Sequence, residues 1–118
     1  MNLKEVKQLL DAEVLVGEDS LDREVKTVFA CDLMSDVLAF VEDKTILLTG
    51  LVNPHTIRTA EMMDINAVVF VRGKTPDEET LKLARETGVV ILTTRHILYN
   101  SCGILYSNGL CGANIVHR

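Results

Sequence analysis

Three apolar runs decide the fold: TILLTG at residues 45–50, AVVFVRG at residues 67–73 and VVILTT at residues 89–94. None of them alternates apolar with polar residues, which is typical of strands buried on both faces. Each run is followed by a stretch with helical spacing. This order of strands and helices predicts crossover units in a parallel sheet. The sequence therefore predicts an α/β fold, a single domain over residues 1–118 with a mostly parallel sheet and helices on both faces.

The boundaries of two helices can be predicted from their capping residues. Asn53 is a candidate N-cap and Pro54 suits the first helical position, so we expect a helix that runs to about Met63. Residues 75–78 read TPDE, the pattern of a capping box with proline at the first helical position. That second helix should end at Gly88, a residue type common just beyond a helix.

A last helix is predicted from about Arg95 to Asn108, with Gly109 as its terminator. Its apolar stripe consists of Ile97, Leu98, Cys102, Leu105 and Tyr106. The residues from 97 to 116 include no Asp, Glu, Lys or Arg, but polar residues and glycines interrupt them too often for a membrane span. We therefore expect a buried or subunit-facing C-terminal region and no contact with a membrane.

The N-terminal part is predicted to be less regular. Asn2 and Glu5 form a capping box for a first helix that reaches about Asp11. The remaining predicted elements are a strand at 12–16, a β-rich run at 25–31 and a helical turn at 35–40 in which Val41 extends the apolar side.

Composition and charge exclude several classes of protein. The chain has 118 residues, of which 47% are hydrophobic and 25% charged, as in ordinary globular domains. Its formal net charge of −5 argues against nucleic-acid binding, which depends on clustered Lys and Arg. The lysines and glutamate among the first seven residues do not suit a signal peptide. We therefore expect a cytoplasmic protein whose Cys31, Cys102 and Cys111 are free thiols.

No motif for catalysis or for a cofactor is present. Gly73-Lys74-Thr75 resembles the end of a phosphate-binding P-loop, but Val68 stands where the first glycine is required. Cys102, Cys111 and His117 do not have the spacing of a zinc site. The sequence predicts no catalytic residue, no metal site and no cofactor.

Polar residues collect where the three apolar runs end. In parallel sheets the carboxyl ends of strands and the following helix N-termini are the usual place for a ligand. If the three strands are neighbours, their ends would form one rim with several cations and free amides. This rim is a candidate site for an anionic small molecule, made of Gly50, Asn53, His55, Arg72, Gly73, Lys74, Thr75 and Arg95.

The order and spacing of five segments resemble the DRTGG domain family. They read LDREV at 21–25, ACDLM at 30–34, TILLTG at 45–50, AVVFVRG at 67–73 and VILTT at 90–94. The resemblance is strongest over residues 12–110. It implies a fold similar to the N-terminal domain of HPr kinase/phosphorylase, which lacks the kinase P-loop. Members stand beside catalytic or CBS domains or occur alone.

The resemblance implies a dimerisation or sensing role and no settled catalytic activity. Our first hypothesis is a non-catalytic regulatory or protein-binding homodimer. Its interface would include Ile97, Leu98, Leu105, Tyr106 and Leu110. The alternative is a sensor of a nucleotide or phosphorylated metabolite at the rim. Since residues 71–73 read VRG where relatives read Thr-Gly-Gly, a retained fold is favoured over a retained site.

Overall fold

The computed structural model describes residues 1–40 and 43–113, within which five α-helices and six strands follow one another. In chain order they are α1 (Leu3–Leu9), β1 (Glu13–Val16), β2 (Thr27–Ala30), α2 (Met34–Phe40), β3 (Thr45–Thr49), α3 (Pro54–Met62), β4 (Ala67–Phe70), α4 (Glu78–Thr87), β5 (Val90–Thr93), α5 (Leu98–Ser107) and β6 (Cys111–Gly112). The predictions that concern Val41, His117 and the last residues of the segment 111–118 lie outside the described residues.

The three apolar runs form neighbouring strands in the middle of the sheet. The strand order is β1-β5-β4-β3-β2-β6, and β2, β3, β4 and β5 are parallel to one another. β6 is also parallel to β2, whereas β1 runs antiparallel to β5 at the opposite edge. The predicted mostly parallel sheet is confirmed.

Helices cover both faces of the sheet, as predicted. Because β2 to β5 follow each other in one direction, right-handed crossovers place α2, α3 and α4 on one face. The core on that face includes Leu47, Val68 and Phe70. On the other face α1 and α5 pack over Ile46 and Val69. The chain therefore changes face after β5, since α4 precedes that strand on one side and α5 follows it on the other.

The start of α4 differs from the prediction. The N-cap is Asp77, whose carboxylate accepts a hydrogen bond from the Thr80 backbone N–H at 2.9 Å. Pro76 consequently lies before the cap and not at the first helical position. An aspartate is at least as good a cap as a threonine, and the helix begins at the more C-terminal of the two. The predicted end is confirmed, because Gly88 has the left-handed conformation with φ 75°.

The start of α5 also differs from the prediction, because the helix begins at Leu98 and not near Arg95. The preceding loop instead bonds to the loop after β4. The Gly73 N–H donates to the Thr94 carbonyl at 2.8 Å, and the Arg72 N–H donates to the His96 carbonyl at 2.8 Å. The segment 94–97 is therefore not helical, and its carbonyl groups hold the β4 loop in place.

Arg23, from the segment LDREV, connects loops at the amino end of the sheet. Its guanidinium donates to the carbonyls of Asn66 at 3.1 Å and of Gly88 at 3.3 Å. These two residues lie just before β4 and β5. This arginine therefore has a structural role and lies at the opposite end of the strands from the rim.

No helix in the described part of the chain is long and apolar enough to cross a membrane.

Candidate functional site

The predicted rim exists, because β3, β4 and β5 are neighbours in register. Thr49 pairs with Phe70, and Phe70 pairs with Thr93. The loops after these strands hold every residue of the predicted site except His55, which lies in the first turn of α3. Since β1 is antiparallel, its first residue Glu13 pairs with Thr93 and joins the same rim. The rim thus includes carboxylates that the sequence analysis did not place there.

Asp32, which the sequence analysis missed, occupies the part of the rim beside Gly50. Its Oδ1 atom accepts hydrogen bonds from the Thr49 hydroxyl at 2.7 Å and from the Gly50 N–H at 2.8 Å. These two bonds, the Thr49 one foremost, hold the pKa of the Asp32 carboxyl below its usual range. A bound anion at Gly50 would have to displace this carboxylate.

Lys74 is also engaged within the rim. Its Nζ donates to the Gly50 carbonyl at 2.8 Å, so that the loops after β3 and β4 are joined. Asp32 accepts from the Gly50 N–H and Lys74 donates to the Gly50 carbonyl, so both polar backbone groups of Gly50 are bonded. Lys74 is thus a structural cation in this arrangement and not a free one.

Two of the three helices that start at this rim, α3 and α4, have N-termini occupied by their own side chains. In α3 the Asn53 side chain accepts from the Thr56 N–H at 3.1 Å, and Pro54 has no N–H to donate. His55 is exposed beside them. In α4 the cap Asp77 is followed by two glutamates, which makes that end acidic. Anion binding by the N-termini of α3 and α4 therefore has no support here. The third helix, α5, has Ile97 as its N-cap, which makes no side-chain hydrogen bond to the helix.

A polar cavity of about 520 Å³ lies where β1, β4 and β5 meet the rim. We call it the rim cavity. Its position is the one where ligands bind in open α/β sheets, since the neighbouring strands β4 and β5 continue to helices on opposite faces. The residues that line it are Asp11, Ala12, Glu13, Gly73, Thr75, Thr93, Thr94 and Arg95. Three predicted residues are therefore brought together here, whereas Gly50, Asn53 and His55 lie elsewhere on the rim.

An apolar groove of about 390 Å³ runs between α5 and the β2–β6 edge of the sheet. Tyr99 and Tyr106 line it. They are seven positions apart, about two helical turns, so they share a helix face. They are 83% and 75% exposed, and Ile97 at the start of the helix is 49% exposed. We call the groove and these three side chains the α5 surface.

The predicted interface residues divide into two groups. Leu105 and Leu110 are 1% and 5% exposed and belong to the core, where they form the floor of the groove. Leu98 is partly buried against the same core. α5 packs this side onto the sheet, while Ile97 and Tyr106 face outward. That these residues lie in a dimer interface stays a prediction.

Cys102 is partly buried against the core below α5. Burial raises the pKa of the Cys102 thiol, which keeps it protonated and poorly nucleophilic. Among residues 1–40 and 43–113, no group of three or more His, Cys, Asp and Glu side chains could hold a metal ion.

Comparison with known proteins identifies the family and the fold. The family model for the DRTGG domain matches residues 5–105. A search of the curated proteins found no match. Among solved structures, the chain is similar to the CBS and DRTGG domains of the regulatory region of a Clostridium perfringens pyrophosphatase, complexed with the activator diadenosine tetraphosphate. The TM-score is 0.72 at 18% sequence identity, over 87% of this chain and 45% of that one. The chain thus spans less than half of that protein.

Proposed function

Because this chain belongs to the DRTGG domain family, we propose that it is a non-catalytic regulatory module that acts as a homodimer through the α5 surface. The observation that carries the proposal is the exposure of Tyr99 and Tyr106 beside an apolar groove. Tyrosines are enriched in protein interfaces, because one side chain combines a large apolar ring with a hydrogen-bonding hydroxyl. That the similar fold belongs to a regulatory region supports regulation as its role.

Charge favours a second copy of the chain as the partner. The net charge is −5, so two copies repel each other over most of their surfaces. Apart from residues of β2, the α5 surface is made by residues 97–113. This segment includes no charged residue. Two copies can therefore meet there without placing like charges together. A standard interface needs about 800 Å² from each partner, roughly an eighth of the 6456 Å² that this domain exposes.

Charge reversal on the α5 surface should separate the two copies. We expect the native protein to have twice the mass of the 13.1 kDa chain in light scattering after size-exclusion chromatography. The variant Tyr99→Glu/Tyr106→Glu should have the mass of one chain, because four carboxylates would face each other in the dimer. The circular dichroism spectrum should not change, since both side chains are mostly exposed.

Met62→Glu is the matched control for this experiment. Met62 is 72% exposed but lies on α3, on the opposite face of the sheet. This variant should remain a dimer. A native chain that is monomeric at every concentration would contradict the proposal, and so would a dimer that the Tyr99→Glu/Tyr106→Glu variant preserves.

A second candidate function is a sensor that binds an anionic small molecule, a nucleotide or a phosphorylated metabolite, at the rim. Arg72 and Arg95 favour it, because both are exposed and neither takes part in an ion pair within the described part of the chain. Unpaired guanidinium groups are suited to bidentate binding of phosphate. They lie on the loops after β4 and β5, which hydrogen bonds hold together.

The sensor is tested by thermal unfolding with ATP, GTP and inorganic phosphate. A ligand at a hundred times its dissociation constant stabilises the domain by about 2.7 kcal/mol, a shift of several degrees. The shift should be lost in Arg72→Gln/Arg95→Gln and retained in Arg58→Gln, which changes an exposed arginine on α3. No shift with any of these compounds would count against the sensor.

We further propose a reducing, cytoplasmic setting, which the three free cysteines support.

A further inference from the structure

The rim cavity contains charges of both signs that are not paired with each other. Asp11, Glu13 and Arg95 line one cavity of about 520 Å³ and are all exposed. No ion pair joins Arg95 to either carboxylate among the residues that the structure describes. The Arg95 guanidinium therefore lies more than 4 Å from the carboxylate oxygens of Asp11 and Glu13, and the acidic and basic walls of the cavity are not joined.

The backbone explains why these walls do not meet. β1 and β5 form an antiparallel ladder that ends at the pair Glu13–Thr93. If the ladder continued, Asp11 would lie opposite Arg95. Instead Asp11 takes a left-handed conformation with φ 49°, and the Thr94 hydroxyl donates to the Leu10 carbonyl at 2.7 Å. The ladder therefore ends before Asp11, and the backbone does not hold Asp11 opposite Arg95.

The third wall of the cavity is polar and fixed. Gly73 and Thr75 come from the loop after β4, which is attached to the β5 loop through the Gly73 N–H. The Thr93 hydroxyl donates to the Lys74 carbonyl at 2.8 Å and holds the same loop. The cavity is therefore bordered by two braced loops and by the start of β1. A site whose walls are fixed before binding loses little entropy when a ligand enters.

We infer that the rim cavity binds a small zwitterion, a compound with an ammonium group and a carboxylate, such as an amino acid or a short peptide. Arg95 would bind the carboxylate, and Asp11 and Glu13 would bind the ammonium group. A purely anionic ligand would meet two carboxylates and a purely cationic one would meet the guanidinium, so each would lose part of its binding energy. This inference rests on the proposed sensor function and replaces its anionic ligand by a zwitterion.

The test compares zwitterions with compounds that carry only a negative or only a positive charge. Glycine, 4-aminobutyrate and 6-aminohexanoate carry an ammonium group and a carboxylate at three different separations, one of which should match the distance between the acidic and basic walls. Hexanoate, hexylammonium and inorganic phosphate carry charge of one sign only. Each compound is titrated at up to about 10 mM. Backbone amide chemical shifts report binding at residues 11–13, 73–75 and 93–95. We expect at least one zwitterion to saturate, with an affinity about tenfold or more above those of hexanoate and hexylammonium.

Variants assign the two ends of the ligand. Arg95→Gln and Glu13→Gln should each weaken zwitterion binding by about tenfold, whereas Arg58→Gln should leave it unchanged. If hexanoate or phosphate binds as tightly as the zwitterions and Glu13→Gln strengthens that binding, the inference is wrong but the anion sensor stands. If no probe, including ATP and GTP, changes these amide shifts, both the inference and the sensor are wrong.

Discussion

Replacing Leu105 by glutamate should produce a chain that does not fold. Leu105 is 1% exposed and packs in the core between α5, α1 and the sheet. An unpaired carboxylate at this position costs several kcal/mol, and it also removes the apolar contacts of the leucine. A domain of this size has a total stability of about 5–15 kcal/mol, so little of it would remain. Far-UV circular dichroism and urea unfolding measure the effect directly.

Leu105→Met is the matched control, since it conserves volume and should cost less than about 1.5 kcal/mol. A Leu105→Glu chain that is folded and monomeric would contradict the placement of Leu105 in the core. It would also mean that the residue lies in the interface, as the sequence suggested. A dimer can be lost because charges repel each other at the interface or because the chain unfolds. The circular dichroism of the Leu105→Glu chain distinguishes these two causes.

Periodicity predicted α5 but could not orient it. Residues 97–113 include no charged residue, so no charged face marks the solvent side of the helix. Leu105 and Tyr106 are adjacent in the sequence, yet one is buried and the other is 75% exposed. β3, β4 and β5 each lie entirely within one of the three apolar runs, because a strand buried on both faces has an apolar residue at nearly every position.

The candidate site was predicted only in part, since it depends on strand order. The sequence showed that three strands end in polar loops, but their adjacency came from the sheet order. Asp11 and Glu13 were missed because an antiparallel edge strand brings its beginning to the rim where the parallel strands end. Asp32 was missed because its partners Thr49 and Gly50 lie 17 and 18 residues away. The one available signal was its position just after an apolar run.

Removal of the Asp32 carboxylate should give the second large effect. At pH 7 we expect Asp32→Ala to lower the free energy of unfolding by about 2 kcal/mol, measured by urea unfolding. Each of two hydrogen bonds to a charged acceptor contributes roughly 1.5 kcal/mol or more, and the sum is reduced here because the carboxylate is partly in water. The loss arises because the Thr49 hydroxyl and the Gly50 N–H would lose their acceptor. Asp22→Ala, at an exposed carboxylate, should change stability by less than about 0.5 kcal/mol.

The effect of Asp32 should disappear in acid. Its hydrogen bonds lower the pKa of the folded-state carboxyl below the unfolded value of about 3.9. The ionised form therefore adds its full stability above that pH, and this contribution is lost as the pH falls through the lower, folded-state pKa. The native chain and Asp32→Asn, which keeps an oxygen acceptor but cannot ionise, should differ by a constant amount from pH 5 to 7 and converge below about pH 4. A difference that persists unchanged at pH 2 would show that the shape of the side chain, and not its charge, holds Gly50 at the rim.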